Sequence, residues 1–201
     1  MKKSIEILHL PEGDKKAEVT QFDLTDCDEL RMIYDGWRLL CDNLNRLNAR
    51  AVNLPEGLSE IGFAMAKGMW RVTSGIIGAN SSFDCYDPTG GRGNNRIQVK
   101  ACSVIPDLTS FGPQSQWDRI FFADFFREGK WDRTFDIYEI ETEEILNFKV
   151  NFNQTLRDQQ AQGRRPRFSI YKGLIQKEKF ISKETFLIDD KGVIKINHEQ
   201  T

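Results

Sequence analysis

The chain has 201 residues, enough for one ordinary domain with a sizeable core and short for two. With 39% apolar and 29% charged residues it is neither disordered nor fibrous, and no apolar run reaches the length of a membrane span. A net charge of −2 does not by itself suggest a nucleic-acid partner, but residues 148–201 hold 11 Lys and Arg against 6 Asp and Glu, an asymmetry that can present a basic face. The first ~20 residues read as an irregular lead-in or a short strand without a sustained apolar stretch, so no signal peptide is expected. From Thr25 the sequence reads as a helix that Asn53-Leu54-Pro55 closes. Asp26 and Glu29 have capping-box spacing, and Leu30, Ile33, Trp37, Leu40, Cys41, Leu44 and Leu47 form an apolar stripe. A second helix is predicted from about Gly57 to Arg71.

The period then changes. SSFDCY (81–86) and RIQVKACS (96–103) read as strands joined by the Gly-rich turn DPTGGRGNN, and DRIFFADFF (118–126) and TFDIYEI (134–140) as two more. A third helix is expected from Thr142 to about Gln162, followed by QGRRPR, a strand RFSIYKGLI, and a terminal hairpin TFLIDDKGVIKIN with an Asp-Lys-Gly turn. This order predicts an α/β (α+β) fold with a mixed central β-sheet flanked by helices, in one domain spanning 1–201.

Four cysteines (Cys27, Cys41, Cys85, Cys102) are scattered without metal-ligand spacing, which argues against zinc and against disulfides. Only His9 and His198 are present, near the chain ends, leaving little material for histidine-based nucleophilic catalysis.

Chemistry concentrates in residues 81–103. Side chains alternate along RIQVKA, so Ile97, Val99 and Ala101 share one face and Gln98 and Lys100 the other. The preceding strand ends near Asp84, and the turn brings a carboxylate, an amide oxygen and an ammonium together at a sheet edge. Hydrolysis of a phosphodiester needs a hard cation, and Mg²⁺ takes oxygen ligands from one or two protein groups, the remainder coming from water and phosphate. Asp84, the Gln98 carbonyl and the main-chain carbonyl of Val99 are candidate ligands. Lys100 beside them can orient the water or stabilise the transition state. Asp87 rivals Asp84, although the Pro that follows it reads as turn chemistry. The same Q-x-K pattern also suits an edge strand with a solvated face.

With Asp84, a turn, and then Gln98-Val99-Lys100, the segment resembles the active site of the PD-(D/E)XK nuclease superfamily, which includes most type II restriction endonucleases. The resemblance covers about residues 55–175 and departs at Gln98, where that family usually carries an acid. The lost charge directs attention to Glu60, since family members often place a Glu on the helix before the first active-site strand. The resemblance implies a restriction-endonuclease-like core over about 55–140. It also implies a Mg²⁺-dependent enzyme (one or two ions, no zinc, no nucleotide cofactor) cutting both strands of double-stranded DNA at a short site.

DNA contacts are expected from about 148–175, where Arg157, Arg164, Arg165 and Arg167 lie. Ser115 and Gln116 in a polar loop, and Arg92 and Arg96 in the Gly-rich turn, complete the expected set. A homodimer is expected for a palindromic site, with a monomer the alternative. A cognate DNA methyltransferase would be a functional rather than a physical partner, and the setting would be prokaryotic and cytoplasmic, with no membrane association. The alternatives are a structure-specific or nicking repair nuclease on the same fold, and a DNA-binding module whose site has decayed.

Overall fold

The computed structural model describes residues 1–196, so His198 and Asn197, the last residue of the predicted terminal hairpin, lie outside the described residues. Strands β1 (Lys2–Leu10) and β2 (Gly13–Gln21) open the chain. Helices α1 (Cys27–Arg46) and α2 (Glu56–Lys67) follow, then β3 (Trp70–Val72), β4 (Cys85–Tyr86), β5 (Arg96–Cys102), β6 (Thr109–Ser110), β7 (Arg119–Asp124) and β8 (Thr134–Ile140). The last part holds α3 (Thr142–Leu146), α4 (Leu156–Ala161), β9 (Arg167–Phe168), α5 (Ile170–Gly173), β10 (Ser182–Asp189) and β11 (Gly192–Ile196). Nine strands form one mixed sheet in the order β1-β2-β3-β4-β5-β7-β8-β10-β11, while β6 and β9 pair separately. The parallel pair β5–β7 lies at the centre of an otherwise antiparallel sheet. The α+β architecture is the expected one.

Strand alternation divides the core into two layers. Ile97, Val99, Phe121, Phe135 and Ile137 face α1 and α2, where Tyr34, Trp37 and Phe63 meet them. Phe122, Tyr138 and Ile140 face the opposite side, covered by Phe111, Trp117, Phe168 and Ile170. The abundant phenylalanines stack in both: Phe125 on Phe135 at 4.6 Å, and Phe148 on Phe168 at 4.0 Å between ring centroids.

Several expectations need correction. The first 20 residues form a hairpin of two nine-residue strands. Its signal was blurred because Ile5 and Ile7 are apolar yet exposed, while Leu8, Leu10, Ala17 and Val19 face the core. Helix α2 stops at Lys67 because Gly68 adopts the left-handed conformation (φ 64°), and Trp70-Arg71 then enter the sheet instead of extending the helix. The single helix expected over 142–162 is two short ones. Between them Asn151 accepts from the N–H groups of Asn153 and Gln154, and Thr155 caps α4 reciprocally with Asp158. The strand expected over 167–175 lasts two residues, because Ser169 caps α5 and the Asp107 carboxylate accepts from Ile170 N–H and Tyr171 N–H. On α1, Tyr34 is buried, whereas Ile33, Leu40 and Leu47 of the predicted stripe are exposed.

Phe135 lies fully buried between Phe125 and Phe186 at the junction of helices and sheet. Phe135→Ala is expected to lower stability by about 3–5 kcal/mol in urea denaturation, the cost of a large unfilled core cavity. A loss below about 1 kcal/mol would show that this layer is not packed as described.

Candidate active site

Strand β4 is short, and its brevity shapes the site. It pairs with β5 only at Cys85–Ile97 and Tyr86–Arg96. On one side it ends in a turn, where the Asp87 carboxylate accepts from Thr89 N–H and Gly90 N–H and pairs with Arg119 at 3.2 Å. Asp87 thus serves turn chemistry and packing. On the other side, Asp84 N–H donates to Ile97 C=O at 2.9 Å, and beyond it β5 has no strand neighbour on that edge. The Asp84 side chain takes the strand's place: its Oδ2 accepts from Val99 N–H at 2.7 Å and from the Gln98 amide nitrogen.

Asp84, Val99, Lys100 and Ala101 line one wall of a cavity of about 210 Å³; Leu54, just before α2, and Glu56, Ser59 and Glu60 in its first turns supply the other. The structure thus brings together Asp84, Lys100 and Glu60, drawn from a sheet edge and a helix as the sequence suggested. Lys100 Nζ lies 5.7 Å from the centroid of the Phe111 ring, close enough for a cation–π contact. Gln98 is buried and turns its amide nitrogen, not its oxygen, toward Asp84. A ligand role for its carbonyl therefore requires the amide to rotate.

Electrostatics mark the cavity as short of positive charge. Burial pushes the Asp84 carboxyl above its ordinary range, and Glu56 adds repulsion; the Lys100 charge and the Val99 N–H pull it back. Burial also raises Glu60, to about 7, with repulsion from Asp84 next, against a 2.6 Å ion pair from Arg71 Nε. Among the described residues no group of three or more His, Cys, Asp or Glu side chains is gathered as a metal cluster. The groups that could hold a cation here are hard oxygens from two carboxylates and a backbone, a set that would suit a hexacoordinate oxygen-seeking cation keeping several waters. Glu56 and Arg71 were not singled out from the sequence, although the four-residue spacing of Glu56 and Glu60 puts both on one helix face.

The expected DNA-contacting residues divide. Arg164, Arg165 and Arg167 are exposed, and their segment is held by the Ser110–Arg167 pairing and by Phe111 N–H donating to Pro166 C=O at 3.1 Å. Gln160 donates to Gly112 C=O at 2.6 Å, Asn80 to Gln114 C=O at 2.9 Å, and Gln116 N–H to Ser82 Oγ at 2.8 Å. The loop carrying Ser115 and Gln116 is therefore joined to the arginine loop on one side and to the approach to Asp84 on the other. Asn80, Ser82 and Gln114 belong to this polar rim without having been anticipated. Arg96 corrects the expected set: it is buried against Asp118 (2.7 Å) with Glu12 at 3.4 Å, so its charge is spent within the fold. Arg157 and Arg92 are both exposed and pair at the surface, with Glu143 at 2.7 Å and Asp14 at 2.6 Å. All four cysteines are buried free thiols.

Comparison with known proteins adds independent findings. Residues 22–177 match the model of the Bsp6I restriction endonuclease family. The chain is 34% identical over 146 residues to the type II restriction enzyme Bsp6I of Bacillus sp. (strain RFL6), covering 71% of this chain and 77% of that protein. No solved structure gives a significant match.

The Glu60 environment has a measurable consequence. Its folded pKa of about 7 lies above its ordinary 4.5, so the folded chain holds a proton that the unfolded chain releases. Stability from this group is full below about 4.5 and is lost as pH rises toward about 7. The urea midpoint of the metal-free protein should fall over that range, and Glu60→Gln should flatten the fall. Identical profiles for the two proteins would contradict the buried-carboxylate description.

Proposed function

The chain belongs to the Bsp6I restriction endonuclease family and is a site-specific deoxyribonuclease, and we propose that it cuts both strands of duplex DNA with Mg²⁺ held at Asp84. The observation that carries this assignment of the site is the Asp84 carboxylate seated on the open edge of β5, with Lys100 lining the same cavity. That arrangement supports a Gln-x-Lys variant of the PD-(D/E)XK site. One or two ions would be held by Asp84, Glu60 and the main-chain carbonyl of Val99, with the Gln98 carbonyl joining after its amide rotates. A bound cation supplies charge neutralisation at the scissile phosphate and polarisation of the attacking water.

The chain's own groups do the rest. Asp84 is held by the Val99 N–H, and by the Gln98 amide until that rotates, so it presents its remaining oxygen with little reorganisation. Lys100, steadied by Phe111, places an ammonium where the attacking water and a phosphate oxygen meet. Arg71 keeps Glu60 turned toward the cavity despite repulsion from Asp84. Arg164, Arg165, Arg167, Ser115 and Gln116 grip the duplex, with Arg92 reaching it from the outlying turn. Arg96 supports the fold rather than the DNA, whereas exposed Arg157, like Arg92, is held only by a surface ion pair and stays available to the duplex.

The whole chain is read as one endonuclease domain, its core at about 55–140 and its DNA-contacting segment at about 148–175. A homodimer would address a palindromic site most simply, and a methyltransferase of matching specificity would protect the host DNA. Among the described residues no helix is long and apolar enough to cross a membrane, and a cytoplasmic setting in a prokaryote is consistent with the role.

Incubation with unmethylated plasmid or phage DNA and Mg²⁺ should yield discrete fragments, and EDTA should stop the reaction. Asp84→Ala and Lys100→Ala should each lower cleavage by about 10²-fold or more while leaving DNA binding in Ca²⁺ intact. An Asp84→Ala protein that cuts at the wild-type rate would remove Asp84 from the site. Arg165→Ala should instead weaken binding and reduce the slope of log affinity against log salt by about 1. An unchanged salt slope would place Arg165 away from the phosphates.

A further inference from the structure

Between Val72 and Asp84 the chain leaves the sheet and returns, its two ends joined where Val72 N–H donates to Asp84 C=O at 3.0 Å. The excursion is fastened to the polar rim: Asn80 donates to Gln114 C=O at 2.9 Å, and Ser82 Oγ accepts from Gln116 N–H at 2.8 Å. Its tip carries two isoleucines with opposite fates. Ile76 is 5% exposed and packs with Leu8, Leu10 and Phe83, whereas Ile77 is 94% exposed. A single exposed apolar residue is ordinary, but this one is held out on a rigid mount. Ala79 N–H donates to Ile76 C=O at 3.3 Å, closing a tight turn in which Gly78 takes the left-handed conformation (φ 75°). Turn chemistry asks for glycine at 78 and for a polar residue or proline at 77, so neither the turn nor the core accounts for isoleucine there.

A cation stands beside the tip. A Cβ added to Gly78 would lie 3.2 Å from Lys15 Nζ, and among the described residues Lys15 has no acidic partner. An apolar point with an uncommitted ammonium at its base, on the loop that leads to Asp84, fits one feature of duplex DNA. Base pairs offer flat apolar faces once their stacking is opened, and each step is flanked by phosphates. We propose that Ile77 is a wedge that enters the bound duplex between two neighbouring base pairs and unstacks them, with Lys15 taking a phosphate of the opened step. The inference rests on the reading that the duplex lies across the Asp84 cavity.

The mount suits that task. Opening a step costs energy, which the extra contacts of a bent duplex offset. A tip already ordered by buried Ile76 and by the turn adds little entropy loss of its own on binding. Its reach is also bounded. Ile77 follows Val72 by five residues, so it stands within about 18 Å of the Val72–Asp84 contact even if the chain between is fully extended. With base pairs spaced 3.4 Å along each strand, the opened step falls within about six base pairs of the scissile bond.

The test uses the full chain, Ca²⁺ in place of Mg²⁺, and a duplex holding the site mapped from its cleavage fragments. 2-Aminopurine, which brightens when unstacked, is placed in turn at each position within about six base pairs of the cut. Wild type should brighten it at one step, Ile77→Ala should not, and Ile77→Met should keep most of the rise. In Mg²⁺, Ile77→Ala should cut the intact duplex about tenfold more slowly or worse, and an abasic site at that step should restore most of the rate because the stack is already broken. Its thermal midpoint should match wild type, since the side chain is exposed. Lys15→Ala should reduce the slope of log affinity against log salt by about 1. No wild-type signal at any position, an Ile77→Ala protein that brightens the probe as wild type does, or an abasic duplex that this variant cuts no faster than the intact one would each overturn the wedge. Asp84→Ala should keep the fluorescence rise while losing cleavage, so a failure of the site assignment, cleavage surviving in that variant, is read apart from a failure of the wedge.

Discussion

A backbone N–H withdrawn from water must find an acceptor, and at Val99 that acceptor is a side chain because β4 does not extend to meet it. The chemistry proposed for the protein follows from this one replacement. The first strand residue, Cys85, keeps β4 in register with Ile97, and Asp84 continues the ladder with its own N–H. The chain then diverges, leaving a gap in the sheet where water and a phosphate can enter. The carboxylate that closes the ladder is thereby fixed at the mouth of that gap, and the strand it completes carries Lys100 two residues on.

The cost of the arrangement is electrostatic. Asp84 and Glu60 face one cavity from sheet and helix, and burial raises both. Lys100 and Arg71 offset part of the repulsion, and a divalent cation would offset the remainder. The layer beyond Lys100 is apolar: Phe111 stacks on Phe168, which stacks on Phe148. The same segment pairs with the arginine loop through Ser110–Arg167. One packed unit therefore joins the exposed arginines to the ring beside Lys100, linking the surface proposed to meet DNA to the group proposed to act on it.

Much of the site was legible because strand alternation and turn chemistry are local. RIQVKA places Gln98 and Lys100 on one face whatever the tertiary context, and Asp87-Pro88 declared itself a turn, leaving Asp84 for the site. Glu60 was found through the charge that Gln98 lacks. Its partner Arg71 was not, because the predicted helix ran past Gly68 and absorbed the residue into the wrong element. Arg96 was misread for a different reason: its partner Asp118 is 22 residues away, and no pattern along the chain announces such a pair. The N-terminal hairpin and the broken helix after Thr142 were obscured by apolar residues that stay exposed and by side-chain caps that only tertiary packing selects. The α1 stripe was legible as apolar, but its division into a buried and an open face was not.

The central claim is that the open edge of β5 is a cation site built on Asp84. The most direct measurement is a crystal structure of the protein with duplex DNA and Mn²⁺, with anomalous scattering recorded at the manganese edge. The account predicts an anomalous peak bonded to the Asp84 carboxylate, with a DNA phosphate beside Lys100. A manganese bound elsewhere on the chain, with the Asp84 carboxylate free of metal and no phosphate near Lys100, would contradict it.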